Sequence, residues 1–348
     1  MANTRREFLS KVSSAAALGG LSASSVAAWA SPASSGDSPL GIAVVGLGSQ
    51  SQQVLSADLA TSPWCRIAGL VSSNPNKAQS YASRLGISRR QLYNYESFDR
   101  IAQDESIDIV YLAIPNTMHC EFALRAAAAG KHVFCESPMS VSSEQCRLMI
   151  QACKDNSRAL AVASSPLVRP LGCLGKVQSI EAACGFEVDP RASWRLERQL
   201  AGGGALLQAG IDVLRTQRLW AESTPRWVIA QETKTDTARF AQVEESVTWS
   251  LGFENGAIAH GAVSLNYRSR GHLCVQGQIG SFKSEFPDAN LHWTRANQLE
   301  TFAASILGKP IFPDNRFNRL DAQESLEDIW LAESILQSIQ EQREIQLG

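Results

Sequence analysis

The chain has 348 residues, 44% of them hydrophobic and 19% charged, with 34 acidic against 32 basic side chains and a formal net charge of -2. That balance gives no electrostatic case for nucleic acid or anionic membranes as partners. The eight cysteines include no C-x-x-C pair and the five histidines no H-x-H or H-E-x-x-H spacing, so no metal site is expected. Cysteines inside apolar runs, such as Cys135 and Cys184, read as buried free thiols.

Residues 1–30 read as an export signal and not as part of the fold. Thr4-Arg5-Arg6-Glu7-Phe8-Leu9 is a twin-arginine motif, and Ala28-Trp29-Ala30 fits a small-x-small cleavage site. The stretch between them is too polar and too rich in serine for a membrane span. The twin-arginine route carries proteins that are already folded, so the expectation is a periplasmic or otherwise exported protein that leaves the cytosol with its cofactor loaded. Residues 31–39 read as a linker. About 310 residues remain, enough for two domains, which we place at 40–163 and 164–348.

Residues 40–45 form a continuous apolar run, as a buried parallel strand requires, and the run ends in Gly46. Gly46 permits a tight turn and Gly48 a close approach of backbone to a pyrophosphate. Ser49 and Gln50 then open a helix predicted over residues 49–62, whose free N–H groups face that phosphate. Ser51 stands where the fingerprint has Gly or Ala. A second apolar run, residues 66–71, ends without the acidic residue that holds the ribose hydroxyls in NAD sites. Ser72, Ser73 and Lys77 suit a 2′-phosphate instead, which favours NADP with NAD possible. The alternative, equally open, is that Asn74 and Pro75 only cap a helix and Lys77 is solvated on its first turn.

Strand and helix go on alternating: a strand at 107–113, a helix at 121–129 closed by Gly130, a strand at 132–135 and a helix at 143–156. This is the pattern of a parallel, doubly wound sheet, whose ligand crevice lies beyond the carboxyl ends of the strands. Pro115-Asn116 and Glu136-Ser137-Pro138 fall at those ends. Farther on, a sheet is expected to start at 176–186, and residues 204–221 read as one long helix. Residues 243–253 alternate with Val247, Trp249, Leu251 and Phe253 on one face. Asn255-Gly256 is a hairpin turn, residues 257–267 return, and strands follow at 273–278 and 281–286. Two helices, 297–307 and 321–342, finish the chain.

The segments Pro115-Asn116-Thr117-Met118-His119, Ala129-Gly130-Lys131-His132-Val133, Cys135-Glu136-Ser137-Pro138-Met139 and Trp194-Arg195-Leu196 with Ala201-Gly202-Gly203-Gly204 resemble the glucose–fructose oxidoreductase/inositol dehydrogenase (Gfo/Idh/MocA) family, and within it the exported glucose–fructose oxidoreductase branch. The resemblance covers nearly all of the mature chain. It implies an α/β protein: an N-terminal Rossmann domain with a doubly wound parallel sheet, then a C-terminal α+β domain with a large open, mainly antiparallel sheet. It also implies a sugar or polyol substrate, and a homodimer or tetramer formed through that second sheet. The cofactor residues it implies are Gly46, Gly48, Ser49, Gln50, Ser72, Lys77, Pro115, Asn116, His119 and Glu136.

The chemistry departs from the family's usual pattern. Oxidising a hydroxyl requires a group that takes its proton. Relatives supply a lysine in a Glu-Lys-Pro turn and an Asp and a His (or Tyr) four residues apart on the long helix, a spacing that places both on one face. Here the three positions are Ser137, Gln208 and Asp212. Ser137 carries no charge, Gln208 can hydrogen-bond but cannot orient a base electrostatically, and Asp212 can accept a proton. Residues 164–174 are also shorter than the substrate-contacting segment of relatives. Arg195 and Arg198 either bind substrate hydroxyls or pair with neighbours. Three readings stand: a sugar oxidoreductase with a rebuilt relay, a nucleotide- or sugar-binding protein or partner subunit without turnover, and a non-redox lyase or glycosidase using Asp212.

Overall fold

In a computed structural model of the chain, the described residues are 38–52, 54–55, 59, 61–165, 174–189, 193–267, 271–286, 294–309 and 321–348. The twin-arginine segment, the cleavage site, most of the 31–39 linker and most of the shortened segment after Ser165 lie outside them.

The first half is the expected parallel sheet. Strands β1 (Leu40–Val45), β2 (Cys65–Val71), β3 (Leu92–Tyr93), β4 (Ile109–Leu112), β5 (His132–Cys135) and β6 (Leu160–Val162) lie in the order β3-β2-β1-β4-β5-β6. Every neighbouring pair is parallel. Every residue of β1 is buried, which explains its unbroken apolar run. Helices α1 (Ser49–Gln52), α2 (Pro75–Leu85), α3 (His119–Ala128) and α4 (Ser143–Asp155) connect the strands. The chain runs from β1 to β2 on one side and places β4 on the other. The crevice between the ends of β1 and β4 is therefore the topological switch point at which such sheets take ligands.

One connection is shorter than its sequence predicts. The helix expected over 49–62 stops at Gln52, and the N–H groups of Val54 and Leu55 both turn back to the Ser51 carbonyl, at 3.1 and 2.9 Å. Val54 and Leu55 are buried with Leu40, Ile42 and Val44.

The second sheet is mixed and mainly antiparallel. Its strands β7 (Val177–Gly185), β8 (Pro225–Thr233), β9 (Ser246–Phe253), β10 (Ile258–Ser264), β11 (Gly271–Gly277), β12 (Ser281–Phe286) and β13 (Ile345–Gln346) lie in the order β12-β11-β7-β10-β9-β8-β13. Only the β7–β10 pair is parallel. The β9–β10 hairpin turns at Asn255-Gly256 as predicted, with the Asn255 side chain accepting from the Ala257 N–H at 3.0 Å. Strand β8 was not read from the sequence.

Helix α5 (Arg198–Ala201), a π-helical turn at Leu206–Gly210 and helix α6 (Ile211–Ala221) precede β8; α7 (Arg295–Ile306) and α8 (Ala322–Glu341) follow β12. Val247, Trp249, Leu251 and Phe253 are all buried in the core that includes residues of α6 and α8, and the Trp249 indole donates to Gln217 at 2.9 Å. The apolar face of this strand is thus the domain's own core. The opposite face carries exposed Ile229 and Ile258 among polar neighbours.

The division at residue 164 does not divide the packing. Ala296, Leu299, Phe302 and Ala303 of α7 join Leu40, Ile42, Val44 and Phe134 in a single core, with the Phe302 and Phe134 rings 5.7 Å apart. The chain crosses to its second sheet and then returns to cover the first. All the cysteines among the described residues are free; five are buried, while Cys184 and Cys274 are half-buried. No helix of the described residues is long and apolar enough to cross a membrane.

Candidate active site

The phosphate turn forms as its glycines require. Gly46 has φ +88°, and a Cβ there would lie 2.3 Å from the Ala113 carbonyl oxygen at the end of β4, so only glycine fits between the two strand ends. Gly48 differs: a Cβ on it would meet nothing within 4 Å. Gly48, Ser49 and Gln50 are all exposed, which leaves this backbone open to a pyrophosphate. At the end of β2, Ser72 is buried and its hydroxyl accepts from the Asn74 N–H at 3.1 Å. Asn74 in turn caps α2 by accepting from the Lys77 N–H at 3.0 Å, and the Lys77 side chain is exposed. The capping geometry exists, and it leaves the ammonium free to reach a 2′-phosphate.

The loop after β4 ties the two halves together. Pro115 is half-buried and its carbonyl accepts from the Met118 N–H. Asn116 is buried and its amide donates to the Ala201 carbonyl at 2.9 Å, while the Thr117 hydroxyl lies 2.9 Å from the Gln199 carbonyl and 3.1 Å from that of Leu200. His119 is buried with its two ring nitrogens each 2.9 Å from a main-chain carbonyl, those of Ile114 and Pro138. Burial pushes its pKa down, although both carbonyls pull the other way. His119 therefore works as a strut between the β4 and β5 loops, with no ring nitrogen left for a nucleotide.

Glu136, at the end of β5, is the centre of a buried network. Its Oε1 accepts from the Tyr111 hydroxyl at 2.5 Å and from Arg295 Nε at 2.7 Å. Burial alone would lower the Arg295 pKa, but the Glu136 carboxylate beside it more than offsets this and holds the guanidinium pKa above its ordinary value. Tyr111 is pushed far up by burial and by the same carboxylate. Ser137 is half-buried, with a cis peptide to Pro138 and no hydrogen bond among the described residues. No cation stands on this turn itself.

The long helix is not uniform. A π-helical turn spans Leu206–Gly210, and α-helical geometry resumes at Ile211. Gln208 lies inside this wider turn and Asp212 just beyond it, and the two side chains take different partners. Gln208 turns to Arg195: its Nε2 donates to the Arg195 carbonyl at 2.8 Å, and its Oε1 accepts from Nη1 at 3.1 Å. The Arg195 guanidinium lies over the Trp194 ring, 4.5 Å from its centroid, and burial lowers its pKa. Arg198 bonds the Gln242 carbonyl at 2.8 Å and lies 3.9 Å from Glu244.

Asp212 takes a different partner. Its Oδ2 accepts from the Ser165 hydroxyl at 2.5 Å, and its Oδ1 is buried with no hydrogen-bond partner among the described residues. The Asp212 charge acts on Arg295, and that of Glu136 on both Arg195 and Arg295. The site thus gathers two carboxylates and two guanidinium groups from four distant segments of the chain. Sequence reading missed Ser165 and Arg295. Neither sits in a motif, and only the return of α7 to the first sheet brings Arg295 to Glu136. No group of His, Cys, Asp or Glu among the described residues is arranged to hold a metal.

Residues 40–164 match the family model described as the oxidoreductase family with an NAD-binding Rossmann fold (GFO_IDH_MocA), and residues 171–283 match the GFO/IDH/MocA C-terminal domain. The chain belongs to the Gfo/Idh/MocA oxidoreductase family. It is 27% identical over 268 residues to a D-xylose 1-dehydrogenase [NADP(+)] of Haloarcula marismortui, covering 72% of this chain and 73% of that one. A 1,5-anhydro-D-fructose reductase of Ensifer adhaerens is 28% identical over 228 residues, covering 62% and 67%. Among solved structures, the aldose-aldose oxidoreductase of Caulobacter crescentus, complexed with glycerol, superposes with a TM-score of 0.77 at 30% identity over 89% of this chain and 100% of that one.

Proposed function

We propose that the chain is an exported NAD(P)-dependent oxidoreductase of sugars or polyols whose usual proton relay is replaced by Asp212. The observation that carries this is the Asp212 carboxylate, with one oxygen held by Ser165 and the other buried without a partner among the described residues. A bare carboxylate oxygen in such a site is the acceptor that a substrate hydroxyl needs. The nicotinamide nucleotide supplies the hydride acceptor or donor. The open Gly48 turn fits its pyrophosphate, and Ser72 and Lys77 fit the 2′-phosphate of NADP. Family membership and sugar dehydrogenases among the relatives support the same reading.

Single-turnover reduction of bound NADP by glucose and related sugars tests it. Asp212→Asn is expected to slow reduction by about 10²–10⁴-fold, the usual worth of general base catalysis, with nucleotide affinity unchanged. An unaltered rate would overturn the assignment. For the nucleotide, Lys77→Ala is expected to weaken NADP binding about tenfold or more and to leave NAD binding as it was. Equal or tighter NAD binding by the wild type would refute the preference.

A second reading has its own support. Ser137 carries no charge, and Gln208 is fully occupied with Arg195, so two of the three relay positions cannot perform the family's chemistry. A nucleotide-binding protein without turnover matches that, and a wild type that binds nucleotide tightly but reduces it with no sugar would establish it. Export rests on Arg5-Arg6; replacing both by lysine is expected to retain the protein in the cytosol. A dimer through the open face of the second sheet rests on exposed Ile229 and Ile258. Sedimentation equilibrium showing only monomer at micromolar concentration would count against it.

A further inference from the structure

Helix α7 reaches Asp212 indirectly, through the short turn that follows β6. Gln298 is fully buried and grips Ser164 from both sides: its Oε1 accepts from the Ser164 N–H at 3.0 Å, and its Nε2 donates to the Ser164 carbonyl at 2.9 Å. Arg295, one helical turn earlier on the same face, donates to that carbonyl from Nη1 at 3.0 Å while its Nε holds Glu136. The next residue is Ser165, whose hydroxyl holds Asp212 Oδ2 at 2.5 Å. Three hydrogen bonds on one backbone unit exceed what a connecting turn requires.

We propose that Gln298 and Arg295 are positioning residues, which fix the Ser164–Ser165 turn so that Ser165 orients the Asp212 carboxylate with Oδ1 directed to the substrate hydroxyl. This rests on the reading of Asp212 as the proton acceptor. A carboxylate can rotate about its last bond, and a single anchored oxygen stops that rotation. Ser165 supplies the anchor, but a serine on a loose turn would follow the carboxylate instead of directing it. The amide clamp of Gln298 and the fork of Arg295 remove that freedom, because each bonds the backbone and so sets the Ser165 Cα itself. When the hydroxyl proton passes to Oδ1, the Ser165 hydrogen bond stays on Oδ2, so one oxygen receives the proton and the other keeps its geometry.

Two measurements on the full mature protein decide this. The first is kinetic. Ser165→Ala is expected to lower kcat about tenfold to hundredfold, the usual worth of a hydrogen bond to a charged group, with KM and the NADP dissociation constant within about twofold of wild type. Ser165→Thr, which keeps the hydroxyl, is expected to restore most of kcat. An Ala variant with wild-type kcat, or a Thr variant no better than Ala, would overturn the role of Ser165. The second is crystallographic. In Gln298→Met the Ser165–Asp212 contact is expected to be lost, whereas the wild type keeps it; a retained contact would overturn the positioning role of Gln298. Should the wild type turn over no sugar, the reading of Asp212 as base fails and the catalytic half of this proposal with it. The crystallographic arm still decides whether α7 positions Asp212.

Discussion

Gln208 holds Arg195 at both ends, its amide nitrogen on the Arg195 carbonyl at 2.8 Å and its amide oxygen on the guanidinium at 3.1 Å. Nε2 also lies 3.2 Å from the Gly203 carbonyl. An amide is the one side chain of this length that offers a donor and an acceptor together. Gln208→Leu is therefore expected to cost about 1–3 kcal/mol, because it strands a carbonyl and a half-buried guanidinium. Gln208→Glu is expected to destabilise as well, since it sets a carboxylate against two carbonyls even as it strengthens the bond to Nη1. Urea unfolding of the three proteins checks the order, and a Glu variant more stable than wild type would refute it.

The two glycines of the phosphate turn separate folding from binding. Gly46→Ala places a Cβ 2.3 Å from the Ala113 carbonyl oxygen at a φ of +88°, so a loss of about 1–3 kcal/mol or more is expected. Gly48→Ala meets no protein atom within 4 Å. It should leave the unfolding midpoint unchanged and weaken nucleotide binding about tenfold, or about 1.4 kcal/mol. Thermal scans paired with calorimetric titration of NADP make the comparison. A Gly48→Ala protein that binds as well as wild type would show that the nucleotide does not approach this backbone.

Helices α6 and α8 are joined by a buried ion cluster. Asp328 is fully buried and accepts from Arg215 at 2.7 Å and Arg218 at 2.6 Å. Asp328→Ala leaves the buried Arg215 guanidinium without its counter-charge, and a loss of about 3–5 kcal/mol is expected. Replacing the pair together, Arg215→Met with Asp328→Leu, should cost less than the single change. Equal destabilisation of the single and double variants, measured by urea unfolding, would count against this account.

Acid stability is governed in part by His132. Its Nδ1 accepts from the Ala159 N–H at 2.9 Å, and burial, aided by the Arg158 charge, pushes its pKa down to about 4 from an ordinary 6.5. Between those values the unfolded chain binds a proton that the folded chain refuses. Stability is therefore whole above pH ~6.5 and falls as the pH drops through ~4. Proton NMR should place the His132 midpoint near 4, with the urea midpoint declining over the same interval. A His132 midpoint near 6.5 would rule the mechanism out.

Much of the architecture is legible in the residues themselves. Residues 40–45 are apolar at every position because both faces of β1 are covered, and no other element type fits a run that short. Gly46, Gly130 and Asn255-Gly256 punctuate the chain where their backbone demands place them. Local pattern fails where the deciding contact is distant. Val54 and Leu55, read as part of a helix, enter a core shared with α7, and β8 escaped because apolar Ile229 stands at an exposed position of its alternation.

The candidate site divides along the same line. The nucleotide turn, the missing lysine at 137 and the acid at 212 are legible at once, since each is a matter of residue identity at a local motif. What those residues touch depends on packing between distant segments. Gln208 bonds Arg195 and Asp212 bonds Ser165, and the return of α7 brings Arg295 and Gln298 to Glu136 and Ser164. The physical reason is range. Strand and turn signals act within a few residues, whereas the direction of a buried polar side chain is set by whichever distant partner satisfies it in a medium without water.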